Sequence, residues 1–137
     1  MAAVTRKLAF VLAAGAAAFA LGAAQLPWGL AQAQPGLWEI SGLPGASAPV
    51  RQCVADIAQL ARFEHRAKNC SLSTVREAGP TGEVDYSCGP AGFGHSQVTL
   101  LTPRAVRVAT QGISDGLPFN YVLQARRVGD CMASARH

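Results

Sequence analysis

Alternation with a period of two runs through most of this chain. Val84, Tyr86 and Cys88 fall on one side and Glu83, Asp85 and Ser87 on the other, the pattern of a half-buried strand. The same period returns at Phe119, Tyr121, Leu123 and Ala125, within a predicted strand at residues 119–128. Residues 93–102 and 105–113 read as two more strands, with Val106 and Val108 on one side of the second. Pro103-Arg104 and Ser114-Asp115-Gly116 supply the turns between these strands. A weaker alternation over residues 71–75 closes at Gly79-Pro80-Thr81-Gly82. Near the start, Leu37 and Glu39 alternate with Trp38 and Ile40 after the Pro35-Gly36 turn, which predicts a short first strand anchored in the core by Trp38. Residues 42–49, with their Gly and Pro, read as a loop, and residues 132–137 as a short frayed tail.

One stretch departs from this period. Val54, Ile57, Ala58 and Ala61 stand at i, i+3, i+4 and i+7, with Leu60 beside them, which predicts a helix. Asp56 near its start and Arg62 and Arg66 near its end suit the helix dipole. Strands joined by short turns are antiparallel neighbours, because parallel ones need long crossovers. The expected fold is therefore mostly β, or α+β: a curved antiparallel meander of about six strands with one short helix, stabilised by disulfides. Such a sheet either closes into a barrel or has one face covered by the helix and its loop, and both remain open.

The first residues belong to a different category. Arg6 and Lys7 precede an uncharged run of apolar and small residues at 8–24, and Ala31-Gln32-Ala33 has the small-x-small form of a cleavage signal. Gln25 and Pro27 interrupt the run, so it reads as an export leader rather than a membrane span, which wants about 20 strongly apolar residues. Cleavage after Ala24 is the alternative. It would leave Leu26, Trp28 and Leu30 as an exposed apolar start, so cleavage after Ala33 is favoured. The expected organisation is a signal peptide at 1–33 and one exported domain at 34–137, without stable membrane insertion.

Removing the leader changes the charge. The chain has 12 Lys and Arg against 8 Asp and Glu. Arg6 and Lys7 depart and no acidic residue does, so the net charge falls from +4 to +2. The remaining basic residues are scattered apart from Arg126-Arg127, which excludes a nucleic-acid partner despite the pI of 9.2.

Cys53, Cys70, Cys88 and Cys131 make an even number in a short exported chain and read as two disulfides. No two are nearer than 17 positions, unlike the close pairs of a zinc site. Three pairings are possible, and Cys53 with Cys70 and Cys88 with Cys131 is favoured. Alternation from Tyr121 brings Cys131 to the side of the inward Cys88. A helix unbroken to Arg66 would be about 20 Å long, whereas bridged Cα atoms lie within about 7 Å. A local bridge therefore stops the helix near Arg62 or Phe63 and leaves His65 on a return loop.

Pro35-Gly36-Leu37-Trp38-Glu39 after a leader, two central cysteines, a third in a strand, and a closing Arg127-Val128-Gly129-Asp130-Cys131 resemble the domain-of-unknown-function 3617 family of exported bacterial proteins. The resemblance extends from Pro35 to Cys131. It implies a single periplasmic, mostly β domain with disulfides, and it brings no activity and no functional residues.

The residues themselves point to no reaction. Ser71, Ser87, Ser96, His65, His95 and Asp85 offer the ingredients of a nucleophile and base, but none stands in a glycine-flanked elbow. His95 shares the parity of Phe93, which would let it face inward, hydrogen-bonded to its neighbours. Glu83 and Asp85 share the solvated side of their strand. The glycines at 89–94 join two strands and precede no helix, so they lack the setting of a phosphate cradle. No catalytic residue, cofactor or metal ligand is expected. The favoured reading is a non-enzymatic structural or protein-interaction domain with an unidentified protein partner. The alternative is a binding module whose concave face, lined by Tyr86, Phe93, Phe119 and Tyr121, takes a small apolar ligand or an extended peptide.

Overall fold

A computed structural model describes residues 26–132. The expected leader charges at Arg6 and Lys7, the run at 8–24 and the tail residues 133–137 lie outside them. Seven strands form one antiparallel sheet: β1 (Gly36–Ser41), β2 (Val50–Val54), β3 (Ser71–Ala78), β4 (Thr81–Ser87), β5 (Gly92–Thr102), β6 (Ala105–Ser114) and β7 (Leu117–Gly129). Their order is β2-β1-β7-β6-β5-β4-β3. The expected meander is β3 to β7, and β1 returns to pair with β7, so the first and last strands of the fold are neighbours. With β2 and β3 at its two edges, the sheet is open. No helix among the described residues is long and apolar enough to cross a membrane.

The turns explain the meander. Ala78 faces Thr81, Thr102 faces Ala105 and Ser114 faces Leu117, so Gly79-Pro80, Pro103-Arg104 and Asp115-Gly116 are two-residue loops. Asp115 (φ 49°) and Gly116 (φ 81°) both take left-handed conformations, which match the twist of the strands they join.

The predicted helix forms otherwise. Val54 ends β2, paired with Gly36, and the chain then makes two 3₁₀ turns, Ile57–Leu60 and Phe63–His65. Two local interactions favour tight turns. The Asp56 carboxylate accepts the Ala58 N–H at 3.0 Å. The Arg62 guanidinium donates to the carbonyls of His65, Arg66 and Lys68 at 3.0, 3.1 and 2.9 Å, satisfying them outside any helix. The apolar spacing still serves its purpose, because Ile57, Leu60 and Ala61 are buried. Among the described residues the one α-helix is the short α1 (Trp28–Ala31), within the residues assigned to the leader. Strand β2 was not expected: residues 50–53 were given no element and Val54 was assigned to the helix. The burial of β2 is irregular, and pairing with β1 makes it a strand.

One face of the sheet is covered and the other is bare. Trp38, Ile40, Val98, Val106, Val108 and Leu123 point to the covered face and are fully buried. Leu30 from α1 and Leu60 and Phe63 from the 3₁₀ turns complete the core. Apolar burial here supplies the main favourable term in folding.

The disulfides differ from the favoured pairing. Cys53 is bonded to Cys131 and Cys70 to Cys88, and no cysteine is free. Register is the reason. Ser71 faces Ser87, which places Cys70 opposite Cys88 at the open end of the β3–β4 hairpin. Leu37 of β1 faces both Cys53 on β2 and Gly129 on β7, so the bridge from Cys53 to Cys131 spans the end of β1 and ties the edge strand to the C-terminal strand.

Candidate functional site

Two polar clusters lie on opposite faces at the same end of the sheet. The first is buried. Tyr86, Gly94, Gly112 and Phe119 form one cross-strand row through the pairings Tyr86–Gly94, Gly94–Gly112 and Gly112–Phe119. A Cβ on Gly94 would stand 2.5 Å from Tyr86 ring atoms. One on Gly112 would stand 3.0 Å from the Phe119 ring and closer still to backbone of β5. The two glycines thus make room for aromatic rings laid over the sheet. His65 descends between them, edge-on to Tyr86 at 5.5 Å and to Phe119 at 5.8 Å between ring centroids.

Hydrogen bonds close this cluster. His65 Nε2 lies 3.1 Å from Ala91 O, a group that only accepts, so this nitrogen carries the proton. Its Nδ1 lies 3.1 Å from the Tyr86 hydroxyl oxygen. Tyr121 donates to Glu64 Oε2 at 2.6 Å. Ser96 Oγ lies 2.5 Å from Ala61 O and 2.8 Å from Thr110 Oγ1. Among the described residues no buried side-chain polar atom lacks a partner. Burial pushes the Tyr86 hydroxyl up to about 12, partly offset by its hydrogen bond to Thr110. Burial, reinforced by the Glu64 carboxylate, raises that of Tyr121 as well. This region is satisfied core. Sequence reasoning left His65 on a loop. Its burial follows from the Cys70–Cys88 bridge, which holds the preceding turn down on β4.

The second cluster lies on the bare face. His95 Nδ1 stands 2.5 Å from Asp85 Oδ1, its Nε2 is 3.8 Å from Glu83 Oε1, and Arg76 Nε is 3.5 Å from Glu83 Oε2. Beside them opens a groove of about 790 Å³. The Tyr86–Gly94–Gly112–Phe119 row forms its floor, Asp85, His95, Gln111 and Asn120 one wall, and Phe93, Ile113 and Pro118 the other. Phe93 is 56% exposed. The groove therefore has an amide-rich side and an apolar side.

The four residues expected to line one concave surface are divided. Tyr86 and Tyr121 are buried, and Phe119 packs with them on the covered face. Phe93 points the other way, because Tyr86 pairs with Gly94 and the preceding residue of β5 must take the opposite face. His95 faces outward for the same reason, and Glu83 and Asp85 hold it there. Ser96, adjacent in sequence, is therefore on the far side of the sheet from His95, and the two form no nucleophile–base pair. Among the described residues no three His, Cys, Asp or Glu side chains are grouped to hold a metal ion.

No curated protein and no solved structure matches the chain. A family profile does, over residues 33–131, from just before the Pro-Gly-Leu-Trp-Glu strand to the last disulfide cysteine. Between those limits lie all seven strands and both bridges, so this chain belongs to the family described as protein of unknown function, DUF3617.

Proposed function

We propose that this protein is a non-enzymatic, exported interaction domain of the periplasm, which receives an extended apolar segment of a partner protein in the groove beside Phe93. The carrying observation is the distribution of apolar side chains. The covered face is filled by its own residues and by the two segments laid on it. The opposite face gathers the exposed Phe93 with Ile113 and Pro118 at one corner, along a single groove. A contiguous exposed apolar patch with a polar border is a common mark of an interaction site. Gln111 and Asn120 on the facing wall offer amide donors and acceptors of the kind an extended backbone needs. The disulfides support export, because such bridges persist in oxidising compartments.

A small apolar ligand is the second reading, favoured by a groove volume within the usual range of about 300–1,000 Å³ for small-molecule sites. A photo-crosslinking residue placed at Phe93, with a control at Arg107, separates the two. The expected result is a protein adduct at 93 and none at 107, abolished by Ile113→Asp. A retained small molecule by native mass spectrometry, without any protein adduct, would replace the first reading by the second. Neither adduct nor ligand would remove both.

A further inference from the structure

We infer that residues 26–33 are a permanent part of the folded domain, so that the processing site lies before Leu26 and not after Ala33. The inference rests on the export reading and concerns where the leader ends. Leu30 is 1% exposed and belongs to the hydrophobic core, and Pro27 is fully buried. Only Trp28, at 60% exposure, presents a large apolar surface to solvent. The exposed apolar start that argued against cleavage after Ala24 is thus mostly absent.

The rest of the fold is shaped to receive this segment. A Cβ on Gly82 of β4 would stand 2.3 Å from Pro27 Cβ, and one on Gly29 would stand 2.6 Å from Pro80 O. Glycine on each side lets α1 lie directly against the β3–β4 turn. Polar contacts fix the position: the Trp28 N–H donates to Glu77 Oε1 at 2.8 Å and the Gln34 N–H to Pro103 O at 3.0 Å. Ala33, the last residue that cleavage after the Ala-Gln-Ala signature would remove, is itself buried. Removing the segment would open the core beneath β4 and β5 and leave Gly82 facing empty space. An apolar residue in a close-packed interior has no such freedom to be discarded.

The test is the intact mass of the exported protein, made from the full chain in a bacterial host. Processing before Leu26, with a start at Gln25, is the expected result. A start at Gln34 would overturn the inference and leave the export reading standing. An uncleaved Met1 would overturn both. Two variants give an independent readout. Trp28→Ala, at an exposed position, should lower the mature mass by the Trp–Ala difference, and an unchanged mass would mean that the residue had been cut away. Leu30→Asp should lower the melting midpoint by roughly 10 °C or more in a domain of this size, whereas a trimmed protein would melt as before.

Discussion

The two faces of the sheet are built from alternate residues of the same strands, yet they follow different rules. On the covered face, Trp38, Val108 and Leu123 are sealed by α1 and the 3₁₀ turns, and even its polar residues, His65, Ser96 and Thr110, are paired internally. On the bare face, Glu39 is bridged by Arg51 and Arg126, and Glu83 by Arg76, in solvent-exposed ion pairs that hold little energy. Stability therefore lives on one side, and the other can vary without unfolding the protein. Single apolar residues such as Val122 also stand on the bare face, but the corner around Phe93 gathers three, with Ile113 and Pro118, along one groove. That clustering is what marks it as a site.

This contrast can be broken at several strengths. The largest effect is covalent. Replacing Cys53 and Cys131 together by Ser opens a loop of sequence separation 78, and the loop-closure model gives a loss of about 4.5 kcal/mol. The Cys70 and Cys88 pair, separation 18, should cost about 3 kcal/mol on the same model. Urea denaturation of both double variants tests the ranking, and equal losses would show that loop length is not what matters. Neighbouring residues sharpen the face contrast. Leu123→Ala should cost about 2–5 kcal/mol, and the outward Val122→Ala no more than about 0.5 kcal/mol. Similar midpoints for the two would erase the distinction.

Smaller effects probe the aromatic row. Gly94→Ala drives a methyl group into the Tyr86 ring and should destabilise by about 1–3 kcal/mol. A neutral outcome would mean that Tyr86 yields easily and that His65 is not locked. The tyrosines should also titrate late. Tyr86 moves from an ordinary 10.0 to about 12, and Tyr121 is raised too. A raised folded value means that the neutral phenol is favoured in the native state. The stabilisation is thus complete below pH 10 and lost as pH rises from 10 towards 12. Ultraviolet titration should show little phenolate in native protein at pH 10.5, and a half-titrated signal there would contradict the buried network. Smallest of all, His95→Ala should change stability by less than about 1 kcal/mol, and less again in high salt.

Much of this architecture was legible, and its failures share a cause. The alternation at Val84–Tyr86–Cys88 and Phe119–Leu123–Ala125 and the Asp-Gly turn identified strands and hairpins because those signals are local. Phe93 was misplaced because a strand's period tells which residues share a face and not which face it is. Only the Tyr86–Gly94 pairing settles that. The Cys70–Cys88 bridge did have a signal, since both cysteines are equidistant from Gly79 in a hairpin. The shared parity of Cys131 and the inward Cys88 outweighed it, and the spacing at residues 54–61 was read as a helix. That spacing proved compatible with 3₁₀ turns, because burial of Ile57, Leu60 and Ala61 demands only a common side. Nothing in β2 distinguished it, because an edge strand of mixed residues acquires its identity from its partner.

Period, turn chemistry and cysteine count act over a few residues, and for that reason the amino-acid sequence alone determined a disulfide-bonded antiparallel meander with Trp38 in its core. Strand order, the choice of face for Phe93 and His95, the partner of each cysteine and the seating of Leu30 depend on contacts between residues far apart in the chain. Those were decided only when β1 came to rest between β2 and β7 and the covering segments closed over one side of the sheet.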